Sequence, residues 1–364
     1  MLRLPAPARS VAALAALLLA ARVDAAEFEF TGPAPTRNFQ PIQLIFLNLP
    51  FESASTLPPG ELALLLQSAE SNEIATTQGT INSTLKFETN RTVLGLRYGA
   101  FERWEAGIEL PFISRFGGFL DPEINWVERL FGRVNPERNL FPNNTFGAFS
   151  VVRGNTPLFD AGEENFQPGD LVLSIKHELC TPPEWPQLAL RAALKLPSGD
   201  AGAVLGSGKP DLGAGIAADY HALARLILYL NLSLIYPFGP ITAGDLTLNP
   251  FFTESFAAHF ALTQHWSVML HQATYTSPFH TGTRLLDGTV VEIGSGLNFA
   301  YSPWFSAQVL GIENVSGVEQ AADFTLMVSF VYRPWARSAE LPPLGPPLVQ
   351  ETSPAPTAPP TPTP

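Results

Sequence analysis

The sequence predicts an all-β fold: a transmembrane up-and-down antiparallel β-barrel of about twelve strands (range about 10–14), with one short helix in a long external loop. Three observations predict it. Segment after segment alternates apolar and polar side chains with a period of two, which sends successive side chains to opposite faces of a strand. Hydrophobic residues make up 46% of the chain and charged residues only 15%, yet no run of 18 consecutive apolar residues exists to form a spanning helix. The connections between the alternating segments are sorted by length, short then long, as in a barrel with tight turns on one side of a membrane and loops on the other.

Arg3 and Arg9 precede an apolar run from Val11 to Ala21, and Val23-Asp24-Ala25 offers small residues at a cleavage spacing, so residues 1–25 read as a secretory signal peptide. Its removal takes away a net +2 and moves the formal charge from −12 to −14. That charge argues against nucleic acid as a partner. Residues 26–61 read as an N-terminal periplasmic segment and 62–335 as the barrel.

The first strands fall at about 62–72 and 83–98. In Arg103–Phe112 one face is Trp104, Ala106, Ile108, Leu110 and Phe112, and the other carries Glu105 and Glu109. Residues 113–168 form one long excursion. Within it Asp121 is placed as a helix N-cap with Pro122 at the first position, Ile124, Val127, Leu130 and Phe131 recur at helical spacing, and Gly132 stops the helix. Such a helix can enter the barrel mouth, lie on the membrane surface or pack on neighbouring loops.

Further strands follow at about 169–180, Gln187–Leu196, Asp211–His221, Ala224–Tyr236, 251–263, 266–276, 289–301, 304–313 and Asp323–Arg333. Short connections lie at 99–102, 181–186, 222–223, 264–265 and 302–303; the others, beginning with 73–82, are longer. An even strand number puts both termini on the periplasmic side. Trp104, Trp185, Trp266, Trp304 and Trp335 then gather at one rim, where indoles favour the headgroup layer. Residues 336–364, rich in proline, threonine and alanine, read as a disordered tail.

With the leucine faces turned to lipid, the opposite faces line the lumen with Arg97, Glu105, Glu109, Lys176, Glu178, Arg191, Lys195, Asp211, Asp219, Arg225 and Glu292. These charges are expected to hydrate the interior and pair across strands.

No cofactor, metal site or catalytic set emerges. "VLGSGKPDLGAG" (Val204–Gly215) fails the phosphate-loop spacing, because Ala203 stands where a glycine is needed and Pro210 where a hydroxyl is needed. His177-Glu178 fails the zinc-helix spacing at Thr181, and the lone Cys180 excludes an internal disulfide. His177 is expected in the headgroup zone of the leucine face.

The stretch "RYGAFERWEAGIELPFISRFGGFLDPEINWVERLFG" (Arg97–Gly132), followed by "LKLPSGD" (Leu194–Asp200) and "GSGKPDLG", resembles an uncharacterised bacterial outer-membrane protein family, domain of unknown function 3187. The resemblance implies an outer-membrane location in a Gram-negative bacterium and no activity. Expected partners are outer-membrane lipid, the barrel-assembly machinery and a small-molecule solute. The leading expectation is a narrow passive channel or uptake barrel. A barrel enzyme acting on envelope lipids and a non-conducting structural or binding barrel stay open beside it.

Overall fold

The computed structural model describes residues 31–132, 135–182, 185–241, 246–317 and 319–334. The expected signal peptide, Trp335 and the tail at 336–364 lie outside the described residues.

The barrel wall consists of β1 (Leu62–Thr77), β2 (Ile81–Phe101), β3 (Trp104–Phe116), β7 (Leu171–Glu178), β8 (Gln187–Leu196), β9 (Asp211–Leu223), β10 (Leu226–Pro237), β11 (Phe251–Ala261), β12 (Trp266–Thr276), β13 (Thr289–Ser302), β14 (Phe305–Ser316) and β15 (Phe324–Tyr332). Each is antiparallel to its neighbours, and β1 pairs with β15 from Leu64↔Tyr332 to Asn72↔Phe324, which closes the sheet on itself with twelve strands. Closure leaves no unpaired edge, the condition for crossing a bilayer with strands.

Leucine and aromatic side chains at alternate positions are exposed on the outside, as with Leu64, Leu66, Leu94, Ile108, Ile175, Leu190, Ile216, Leu270 and Ile293. Their neighbours one residue away point within and are mostly buried. Water does not tolerate an apolar belt of this extent on a closed wall; hydrocarbon does.

The excursion after β3 departs from the expected simple loop. Besides the helix α1 (Asp121–Phe131) it contains β4 (Ala148–Arg153), β5 (Thr156–Asp160) and β6 (Glu164–Pro168). β4 pairs with the first residues of β2, and β6 with the last residues of β3, so these pieces prolong the wall beyond the belt. The β1–β2 connection is a tight hairpin at 78–80 rather than the expected long loop, because both strands continue past the apolar region. α1 ends at Gly132 (φ +69°), as expected. Asp121 is not its N-cap: Leu120 holds that position. The Glu88 carboxylate accepts the amides of Phe119 (2.9 Å) and Leu120 (2.8 Å), which frees Asp121 for other partners.

Candidate functional site: the filled lumen

Residues 31–60 contain Pro33, Pro35, Pro41, Pro50, Pro58 and Pro59 and no period-two pattern. Proline has no amide hydrogen for a sheet ladder, so this stretch stays an extended coil with one short 3-10 turn at Gln43–Ile45. The segment expected in the periplasm instead threads the barrel. It starts at the short-turn end, where Thr31 Oγ1 donates to Asn298 Oδ1 (2.9 Å) and the Gly32 carbonyl accepts from Gln308 (2.9 Å). It climbs past Gln67, which donates to the Pro35 carbonyl (2.9 Å), to the long-loop end, where Asn38 donates to the Gln320 carbonyl (3.0 Å). There it turns, held by Arg37 across the carbonyls of Gln43 (2.9 Å) and Phe46 (3.0 Å).

On the way back the wall supplies the partners that a coil lacks. Amides buried away from water need acceptors, and the inward carboxylates and one amide provide them. Leu47 N–H donates to Asp211 (2.8 Å), Glu52 N–H to Asn231 (3.2 Å), Ala54 N–H to Asp219 (3.0 Å), Thr56 N–H to Glu178 (2.9 Å) and Leu57 N–H to Glu105 (3.0 Å). Ser53 Oγ also donates to Asp219. Lys195 and Arg191 donate to the carbonyls of Ile45 (2.5 Å) and Pro50 (2.5 Å).

Toward the short-turn end Glu52 enters a cluster of cations. Its carboxylate lies 2.7 Å from Arg97, 2.7 Å from Arg191 and 3.3 Å from Lys176. Glu105 lies 3.2 Å from Lys176 and 3.9 Å from Arg97, and Glu109 lies 4.0 Å from Arg97. A second cluster sits nearer the long loops, where Lys195 lies 2.9 Å from Asp170 and 3.1 Å from Asp211. Here the glycine-rich stretch finds its use. Ser207 accepts from Lys195 (2.5 Å), and Asp170 accepts the amides of Gly199 (2.9 Å) and Ser207 (3.3 Å). The "GSGKPD" loop builds the socket of a lysine that holds the Ile45 carbonyl.

Arg97, Glu105, Glu109, Lys176, Glu178, Arg191, Lys195, Asp211, Asp219 and Glu292 all project from the inward faces of their strands. Arg225 instead sits in the β9–β10 turn. Where a wet lumen was expected, most of these inward groups are buried, and all of them but Glu109 and Glu292 are bonded to the threaded segment. Glu52, Asn231 and Asp170 belong to the same arrangement and carried no motif. Glu52 lies in an aperiodic stretch, and nothing local marks its partners 45 to 139 residues away.

Trp104, Trp185, Trp266 and Trp304 are exposed at the short-turn rim. His177 shares their outward face and stacks on Trp104 at 4.2 Å between ring centres. His259 and His271 meet inside, Nε2 to Nε2 at 3.1 Å. Among the described residues no group of three metal-ligating side chains forms.

The long-loop end is shut by hydrophobic packing. Ile42, Ile45, Phe46 and Leu47 at the turn of the segment join one buried cluster with Leu85, Phe149, Phe159, Ile241, Phe279 and Leu286. Arg115 ties two of these loops together, lying 4.6 Å over the Phe149 ring and donating to the carbonyls of Gly162 (3.0 Å) and Ala203 (3.3 Å). At the short-turn end the two limbs of the segment leave a cavity of about 290 Å³, lined among others by Glu52, Arg97, Glu105, Lys176 and Gln308.

Residues 10–334 match the model of a family described as "Protein of unknown function (DUF3187)". The chain belongs to this family. The DUF3187 barrel is similar in fold to an outer membrane channel from Pseudomonas putida F1, with 12% identity over 77% of this chain and 97% of that one, at a TM-score of 0.52. It also aligns with the NanC porin, at 8% identity over 74% of this chain and 98% of that one (TM-score 0.44). A Pseudomonas aeruginosa FadL homologue aligns at 10% identity over 82% of this chain and 99% of that one (TM-score 0.36). Among curated proteins none matches the sequence.

Proposed function

We propose that the protein is an outer-membrane channel for a small solute, held closed by residues 31–60 acting as a plug. The apolar belt and the fold shared with an outer membrane channel support the location and the class. One observation carries the rest: the inward charges that would line a pore are engaged by the plug at Glu52 and along residues 45–57. Passage of a solute then requires the plug to shift, and the cavity of about 290 Å³ at the short-turn mouth gives its returning limb room to do so. The ion pairs suit a reversible clamp. They are short but few, and a coil bonded through side chains can detach without breaking the wall's own ladder.

Conductance tests this reading. In planar bilayers the intact protein is expected to stay closed, and a chain lacking residues 31–57 to give discrete current steps. A deletion variant that keeps a heat-modifiable closed barrel yet passes no current would overturn the channel and favour a non-conducting structural or binding barrel.

A further inference from the structure

The outer face of β1 and β2 changes character along its length. It is apolar from Leu62 to Leu66 and from Leu94 to Tyr98, polar at Ser68, Glu70, Asn90 and Thr92, which bond to one another, and polar again higher up at Asn72, Lys86 and Glu88. These three residues have outward parity, yet all are buried. What covers them is α1 and the turn Pro136–Leu140. Asp121 lies 2.5 Å from Lys86 and 3.1 Å from Arg138, and accepts from Asn72 at 3.0 Å. Arg138 also reaches Asp323 at 2.9 Å, and Glu88 holds the first turn of α1. The helix is therefore bolted to the outside of the barrel, away from its mouth.

Its height follows from the strand. Asn72 lies ten residues above Leu62, whose partner is the exposed rim residue Tyr98. At about 3.3 Å per residue and a tilt of about 40°, that is roughly 25 Å, the height of a barrel's apolar band. On the far wall the exposed Tyr236 and Phe252 mark the same edge at the long-loop ends of β10 and β11. The side of α1 facing away from the barrel carries Trp126 and Leu130, each 65% exposed, with Val127 between them and Phe119 just before the helix. Five tryptophans read to the short-turn rim; Trp126, the sixth, stands at the opposite one.

We infer that α1 is an interfacial anchor. Its Trp126–Leu130 face lies in the acyl–headgroup boundary of the membrane leaflet at the long-loop end. Lipid is the occupant because the patch stands level with the top of an apolar wall face: on β15, beside β1, the outward face stays apolar from Tyr332 to Phe324, which pairs with Asn72. An indole with one apolar and one polar edge suits that depth, and a helix with one apolar side lies flat there.

Spin labels read this directly. With the exposed Cys180 replaced (Cys180→Ser), Trp126→Cys and Leu130→Cys are labelled in phosphatidylcholine–phosphatidylglycerol vesicles. Leu94→Cys on the belt and Gln78→Cys at the β1–β2 hairpin serve as references. The ratio of oxygen to nickel-chelate accessibility at 126 and 130 is expected to shift from the Gln78 value toward the Leu94 value. Should either substitution disturb folding, bromolipid quenching of the whole protein replaces it, with loss of a quenched component in Trp126→Phe as the expected result. Gln78-like accessibility at both sites would overturn the inference. So would spin–spin broadening that unlabelled protein dilutes away, since that would give the surface to a second copy of the chain.

Discussion

Replacing Glu52 by glutamine keeps the side chain's shape and removes its charge. In the intact lumen Glu52, Glu105 and Glu109 face Arg97, Lys176 and Arg191; after the change two carboxylates face three cations. Two of the lost contacts are 2.7 Å ion pairs. Leaving a buried charge without its partner costs about 3–5 kcal/mol, with desolvation rather than attraction setting most of the figure. Arg97 is the most exposed of the three cations and contributes least. The loss falls on plug–wall association, because the wall's own hydrogen bonds are untouched. Glu52→Gln is therefore expected to raise local opening of residues 47–57 by about 10²- to 4 × 10³-fold, at 1.4 kcal/mol per tenfold. Native-state hydrogen exchange reads this at the amides of Leu47, Glu52, Ala54, Thr56 and Leu57, which donate to the wall. The ladder amides of β10 serve as the internal control and should not change. Unaltered exchange at those five amides in a folded variant would refute the clamp and leave the hydrophobic turn near Phe46 as what holds the plug.

Other outcomes follow from the same geometry. Gly99 faces the plug's exit, where a Cβ would stand 2.6 Å from the Leu57 carbonyl oxygen and overlap that of Pro58. Gly99→Ala is thus expected to displace residues 57–60 and lower the barrel's melting temperature, seen as loss of the heat-modifiable band at a lower temperature on a gel. Burial opposes ionisation of Asp121, but Lys86 and the amides around it outweigh that and hold its carboxyl below the ordinary 3.8 of an aspartate. A depressed carboxyl stabilises above its unfolded value and loses that contribution as pH falls through the folded one. The contribution of Asp121 to α1 docking is therefore expected to persist at neutral pH and to fade in acid below about 3.8. Hydrogen exchange at the amides of α1, corrected for its intrinsic pH dependence, would report it, and release between pH 5 and 7 would contradict the sign.

The sequence by itself determined the wall. Each strand of an up-and-down barrel pairs with its neighbour in the chain, so period-two segments such as Leu226–Pro237 and Phe324–Tyr332 and the turns between them carry the topology locally. The leucine faces, the tryptophan rim and the inward charges are consequences of that period. Tertiary structure alone decided what the charges meet. Residues 31–60 obey no period, because proline and side-chain-bonded coil have none, and Glu52 finds Arg191 only after the sheet has closed around both. The outward Lys86 and Glu88 make sense only under α1, whose Asp121 arrives from 35 residues further along the chain. A repeating pattern records which face a residue occupies. Which distant segment fills the space beyond that face depends on closure in three dimensions.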